Sequence, residues 1–298
     1  MGDDPDMTAA DVDRTTRAGR ALGAIPPTAL VLLGIVSVQL GSAVAKQLFD
    51  AVGSFGTVAL RLFFAAAVLM LLWRPSPRLD RRTWTVVLGY GITLGAMNLC
   101  FYLALARIPL GIAVTVEFLG PLAVALLGSR RWLDAFWAVL ATGGVVLLLE
   151  GRGDLNLTGF LFALGAGICW GLYILVGAAL GRRTTEGNGL ALGMAVAALM
   201  AVPFGVVESG TALLQPWVLV AGLGVALLSS VVPYTLDLEA LRRMPARVFG
   251  ILMSLEPAMA ALIGLVVLGE SLRPTQWIAV LCVVAASAGA TRGARQED

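Results

Sequence analysis

The chain has 298 residues, of which 58% are hydrophobic and 13% charged, and its net charge is +2. Soluble domains run at about 45–50% and ~25% for the same classes, so the composition excludes a soluble globular fold, and no basic patch stands out that would read nucleic acid. Lys46 is the only lysine and histidine is absent, which rules out a histidine relay, a histidine triad or a histidine zinc site.

In chain order, residues 1–26 come first. They mix Asp3, Asp4, Asp6, Asp11 and Asp13 with Arg14, Arg17 and Arg20 and are expected to form a disordered cytoplasmic tail. Ten apolar spans follow, at about 27–48, 54–73, 84–106, 110–129, 132–150, 157–181, 187–207, 216–241, 246–269 and 274–291. At roughly 1.5 Å of rise per residue, each crosses a ~30 Å hydrocarbon core with some tilt or local thinning. The runs are too long for barrel strands and lack their alternation. Residues 292–298 make a second short tail. Ala43-Val44-Ala45 in span 1 resembles a signal-peptidase site. The length of the span, the acid-rich leader and the odd helix count left by removal favour a retained helix. Cys100, Cys169 and Cys282 lie in three different spans, without metal-ligand spacing, and read as small buried hydrophobes. No cofactor is implied.

Arginine placement fixes the orientation. If the N-terminus is cytoplasmic and all ten spans alternate, sixteen arginines fall on the inside, and only Arg107, Arg152 and Arg273 lie in outside loops. That is a strong positive-inside bias, and both termini are then cytoplasmic. An internal repeat is also visible. Ala104-Leu105-Ala106-Arg107-Ile108-Pro109 lies over Ala240-Leu241-Arg242-Arg243-Met244-Pro245 at an offset of 136, an offset shared by Pro121 with Pro257 and by Asn98 with Tyr234. Trp137 meets Trp277 after a four-residue insertion. The expected fold is an all-α integral membrane protein of ten transmembrane helices, built as two five-helix repeats over 27–150 and 151–291. Because five is odd, the repeats are inverted, an arrangement of secondary transporters whose substrate site sits near the midplane between the halves. Pro121 and Pro257 each remove a backbone donor. They produce either a simple kink or a broken helix lining the cavity, where they would serve coupling or gating.

Several motifs carry a family resemblance. Leu255-Glu256-Pro257 with Leu268-Gly269-Glu270, and Ala59-Leu60-Arg61-Leu62, resemble the EamA branch of the drug/metabolite transporter superfamily. The run from Pro109 to Ala125 with Ser129-Arg130-Arg131, the stretch Leu164-Gly165-Ala166-Gly167 before Cys169-Trp170, and Leu252-Met253-Ser254-Leu255-Glu256-Pro257-Ala258 are similar to the bacterial threonine/homoserine exporters. Gly128-Ser129-Arg130-Arg131 departs from the Gly-Glu of many branch members, and the exporters share that departure. The resemblance covers roughly 28–291. It implies a helical basket whose cavity excludes spans 5 and 10, in the bacterial inner membrane.

Charge inside hydrocarbon costs about 2.5–3.5 kcal/mol per unpaired group on insertion scales, so each such residue is a candidate. Arg61 and Glu117 each lie seven residues into their spans from the outer end, ~10 Å deep. They form a structural ion pair, or they line the cavity, with Glu117 holding a substrate ammonium and Arg61 its carboxylate. Lys46 snorkels to the outer interface, binds substrate carboxylate, or gates the outer mouth. Glu256, near mid-bilayer, is a candidate proton carrier or a backbone cap. Asp237 and Glu239 sit beside Arg242, Arg243 and Arg247 as a solvated cluster, while Glu150 and Glu270 read as interfacial. Gln39, Asn98, Trp170, Tyr173 and Tyr234 fall inside spans; Asn98 and Tyr234 occupy equivalent repeat positions, which favours the cavity for both, and Trp170 and Tyr173 join the candidate substrate site.

The expectation is a secondary exporter of small amino acids, working by alternating access and coupled to protons or to exchange. No Walker A loop occurs, so no ATPase subunit is implied; the partners are the substrate and the lipid bilayer. A broad metabolite or drug exporter of the same branch is the alternative. A membrane-embedded enzyme lacks a nucleophile motif, and a channel lacks a filter-like loop.

Overall fold

The computed structural model describes residues 25–76, 78–126, 132–150, 156–184, 187–244 and 246–293. Most of both expected tails, with Arg130, Arg131 and Arg152, lies outside the described residues. The side chains of Glu150, Arg242, Arg247 and Arg292 are likewise outside them.

Every regular element among the described residues is helical. In chain order the α-helices are α1 (Pro27–Gln47), α2 (Phe49–Trp73), α3 (Arg81–Leu105), α4 (Leu110–Glu117), α5 (Leu119–Leu126), α6 (Trp132–Glu150), α7 (Leu157–Gly181), α8 (Asn188–Ser209), α9 (Pro216–Ala226), α10 (Val232–Arg243), α11 (Ala246–Met253), α12 (Glu256–Leu268) and α13 (Pro274–Gly293), with a 3-10 turn at Gly210–Leu214. Among the described residues, eight helices are long and apolar enough to cross a membrane by length and composition; the regions of spans 4 and 5 hold shorter apolar helices, Leu110–Val124 and Ala135–Leu147. Leu199 and Val207 are 76% and 88% exposed. So large an exposed apolar surface fits lipid rather than water.

Proline breaks three of the expected spans near the middle of the bundle. A proline at position i leaves the carbonyl at i−4 without its helical donor. Pro121 therefore frees the carbonyl of Glu117, and the helix divides at Phe118 into α4 and α5. Pro257 frees that of Met253, and the chain divides at Ser254 and Leu255 into α11 and α12. Pro233 frees that of Ser229. There a π-helical turn, Leu227–Val231, separates α9 from α10, and π turns gather at functional sites. Backbone angles at Phe118 and Leu255 stay right-handed helical, so these are bends with a missing hydrogen bond rather than unwound loops. Gly167 of α7 sits against the first bend; a Cβ there would stand 2.7 Å from the Glu117 carbonyl.

A fourth bend has another cause. Gly53 in α2 has φ 65°, a left-handed value that glycine takes without a Cβ clash. The Glu208 carboxylate at the end of α8 accepts from the amides of Phe55 and Gly56 at 2.8 and 3.1 Å, satisfying donors that restart α2 beyond the bend.

The helices pack as α2 on α8 and α9, α3 on α7 and α8, α6 on α13, α1 on α10 and α12, α4 on α12, and α7 on α4 and α5. Tyr102, Leu94 and Leu105 of α3 are fully buried. The three proline-associated breaks surround the space between α1, α3, α7 and α10.

Candidate functional site

That space is a cavity of about 230 Å³. It runs from Ser42, Arg61 and Glu117 to Gly34, Asp237 and Phe249. Among the described residues, neither α6 nor α13 contributes to the wall. Apolar side chains line most of it, including Ile35, Val38, Met97, Val114 and Met253, with a few polar groups converging on it, the usual composition of a small-molecule site.

Arg61 is 8% exposed and its guanidinium is held in place. Nη2 donates to the carbonyl of Ser229 at 3.1 Å, Nη1 to the Tyr102 hydroxyl at 3.4 Å and Nε to the Ser230 hydroxyl at 3.5 Å. The Ser229 carbonyl is the one Pro233 leaves without a helical donor, so the broken helix itself anchors the arginine. These partners are neutral, and the charge of Arg61 remains uncompensated by any of them.

Glu117 and Glu256 also line the cavity, at 8% and 7% exposure, and Asp237 completes a set of three carboxyl groups. Among the described residues no donor or cation is bonded to any of the three carboxyls. Arg61 and Glu117 therefore share a chamber without forming the direct ion pair that equal depth allowed. One guanidinium and three carboxyl-bearing side chains line the same chamber. The uncharged polar atoms Gln39 Oε1 and Ser229 Oγ are also buried there without partners.

Asn98, Trp170, Tyr173 and Tyr234 join the same wall. Asn98 donates to its own helix at Leu94. Trp170 meets Phe118 edge-on at 5.4 Å, bracing the α4–α5 bend. Tyr90 behind the wall donates to the Tyr173 hydroxyl at 2.8 Å.

Other expectations need correction. Lys46 does not reach the cavity: its ammonium bonds Glu270 Oε1 at 2.5 Å and the Ile108 carbonyl at 3.2 Å. Glu270 is not merely interfacial, since its second oxygen accepts from the Leu110 amide at 2.7 Å. The chain turns back at Gly269, with φ 68°, and this carries Glu270 to that position. Pro121 and Pro257 do not line the cavity either. They act one step removed, by bending the helices that present Glu117 and Glu256. Asp237 leaves the solvated cluster assigned to it, because Glu239 takes Arg243 at 3.2 Å, one turn along the same helix face, while Asp237 faces inward. The signal for the α9–α10 break was in the sequence, since Pro233 stands four residues after Ser229.

Comparison with known proteins agrees with this architecture. The EamA-like transporter family matches residues 26–149 and 157–292. The chain is 44% identical over 276 residues to the threonine/homoserine exporter RhtA of Escherichia coli K12, covering 91% of this chain and 93% of that one. It is 44% identical to RhtA of Salmonella typhimurium SL1344, at 91% and 93% coverage. An uncharacterized transporter of Bacillus subtilis, YwfM, is 28% identical, at 74% and 69% coverage. A solved crystal structure, 23% identical, covers 91% of this chain and 98% of its own with a TM-score of 0.59, a likeness of fold. The chain belongs to the EamA-like transporter family.

Proposed function

We propose that this EamA-family transporter exports small amino acids of the threonine and homoserine kind from the cytoplasm across the bacterial inner membrane by alternating access. One observation carries the reading. A fixed guanidinium and three unpartnered carboxyls face one small chamber. An unpaired buried charge is costly, and an α-amino acid supplies the two missing partners, a carboxylate for Arg61 and an ammonium for a carboxyl such as Glu117. The names and 44% identity of the exporters support the substrate class. At about 230 Å³ the chamber is smaller than the ~300–1,000 Å³ of drug-sized pockets, so the broad drug-exporter reading is not favoured.

The ten-span, two-repeat organisation is part of the same proposal, with repeats over 27–150 and 151–291 and both termini cytoplasmic. Packing supports it. Exchanging each span for its counterpart carries α3–α7 into α1–α10, α3–α8 into α2–α9 and the α7 contacts with α4 and α5 into α1–α12. The pairs α2–α8, α4–α12 and α6–α13 map onto themselves. That is the pattern expected of two halves related by a twofold axis. In this orientation the Lys46–Glu270 pair lies at the outer end, tied to the Ile108 carbonyl and the Leu110 amide. That clasp supports a chamber closed on the outer side, one that receives substrate from the cytoplasm.

The charges also bear on the energy source. With all groups ionised, the chamber holds one positive and three negative charges, and a zwitterion leaves that balance unchanged. The excess has capacity for protons, which supports coupling to a proton gradient through Glu117, Glu256 or Asp237; exchange of one amino acid for another is the second route. The test is efflux of labelled threonine and homoserine from proteoliposomes with and without an imposed pH gradient. Protein-dependent efflux, lost in Arg61→Ala, is the expected result. Efflux no faster than from empty liposomes contradicts the proposal.

A further inference from the structure

We propose that the chamber also carries short diamino acids, whose side chain ends in an ammonium group, with the α-carboxylate on Arg61 and the two ammonium groups on two of the three carboxyls. This rests on the amino-acid reading above and extends it from neutral to cationic side chains.

The first support is the balance of charge. Among the described wall residues Arg61 is the only cation, and Glu117, Asp237 and Glu256 are the acids. Threonine brings one carboxylate and one ammonium, which completes Arg61 and one carboxyl and leaves two carboxyls as they were. Unpaired charge held away from water is costly, so a ligand with a second cation relieves more of that cost than a ligand with one. Glu256 is acted on by the charges of both Asp237 and Glu117, so the three carboxyls belong to one electrostatic unit.

The second support is access. Glu117 and Glu256 have no bonded partner among the described residues, and none of their oxygens is among the polar atoms sealed off without one. Both carboxyls therefore open on the chamber they line. In Asp237 only Oδ1 is sealed, against Gly34 of α1, where a Cβ would stand 3.0 Å away. Its other oxygen has no donor among the described residues and is left to the chamber.

The third support does not depend on the acids. Trp170, Tyr173 and Tyr234 line the same wall, and aromatic faces attract ammonium groups. Tyr234 precedes Asp237 by three residues on α10, which puts ring and carboxylate on one side of that helix. The arginine of the chamber stacks elsewhere, over Tyr102 at 5.6 Å. Aromatic rings beside a carboxylate suit an ammonium on a short carbon chain.

Three compounds separate the charge of the side chain from its size. 2,4-Diaminobutyrate, homoserine and aspartate share four carbons and end them in an ammonium, a hydroxyl and a carboxylate. The first adds a cation where the wall is acidic, and the last adds a further negative charge.

The experiment is competition against labelled threonine efflux in proteoliposomes by these three, together with direct efflux of labelled 2,4-diaminobutyrate. In the unaltered protein 2,4-diaminobutyrate is expected to be carried and to compete at least as well as homoserine, with aspartate about 100-fold weaker. The ratio of 2,4-diaminobutyrate to homoserine competition is expected to fall about tenfold in Asp237→Asn or in Glu256→Gln, however far the absolute rates fall. Where a variant moves nothing, the same ratio is read from thermal stabilisation of the purified protein by the two compounds. Homoserine competing better than 2,4-diaminobutyrate, or aspartate competing as well as it does, overturns the proposal and leaves the exporter reading standing. A ratio unchanged in both variants also overturns it. Failure of the unaltered protein to move any amino acid ends the exporter reading and this one with it.

Discussion

The protein carries two groups of charge wired in opposite ways, a partly exposed lysine–glutamate pair and a chamber holding one arginine and three carboxyls. At the Lys46 end the ammonium meets Glu270 and a carbonyl, and the second oxygen of Glu270 caps the start of α4. In the chamber Arg61 is positioned by neutral groups, while Glu117, Asp237 and Glu256 have no bonded partner among the described residues. Satisfied charge of the first kind holds helices together. Unsatisfied charge of the second kind costs stability and makes sense only when a ligand or proton completes it. Sequence position and depth do not separate the two cases; partners do.

The comparison breaks first at transport. Glu117→Gln and Arg61→Ala are expected to lower efflux about 100-fold, the scale of losing one partner of a desolvated charge pair, with the protein still folded in detergent; near-normal efflux in both would place the substrate elsewhere. Next comes Lys46→Met, which strands Glu270. A fall in stability of about 2–3 kcal/mol is expected, below the ~3–5 kcal/mol of a fully buried pair because the two side chains keep 25% and 15% exposure. Adding Glu270→Gln should recover part of the loss in a double-mutant cycle. Affinity for substrate should not change, and a weakened affinity would move Lys46 into the site. Glu256→Gln sharpens the contrast in the other direction: removing an unpartnered carboxylate should stabilise the protein by about 1 kcal/mol while slowing transport. A destabilised Glu256→Gln protein would make that residue structural.

The smallest effect concerns Asp80, which caps α3 by accepting from Arg82 and Thr83. The hydrogen bond from the Thr83 side chain, first among several causes, holds its carboxyl below the usual value. A lowered folded value means its stabilising contribution is complete above the unfolded value and is lost as pH falls through the folded one. Asp80→Ala should therefore slightly lower the melting temperature at neutral pH and leave it unchanged in strong acid; an equal drop at both would refute the cap.

Much of the helical layout was legible because hydropathy and proline are local signals. The helix ends near 47, 73, 105 and 181 follow from apolar runs, and the breaks near Pro121 and Pro257 follow from a missing donor. Partnership was not legible. Lys46 and Glu270 are 224 residues apart, and no pattern along the chain pairs them. Asp237 stands close in sequence to Arg242 and Arg243, which suggests a shared salt-bridge cluster. Helical geometry gives Arg243 to Glu239, one turn away, and turns Asp237 to the chamber. Arg61 and Glu117 could be placed at equal depth but not at a distance, because depth says nothing of which way two helices face. Pro233 was readable and its consequence was not, since the freed Ser229 carbonyl gains meaning only when Arg61 arrives from another helix.

The central claim is that the chamber binds an amino acid by both of its charges. The most direct measurement is the thermal shift of the purified protein with threonine, threonine methyl ester and N-acetylthreonine, which keep both charges, only the ammonium and only the carboxylate. The account predicts stabilisation by threonine and none by either derivative at the same concentration. Stabilisation by a derivative as large as that by threonine would contradict it.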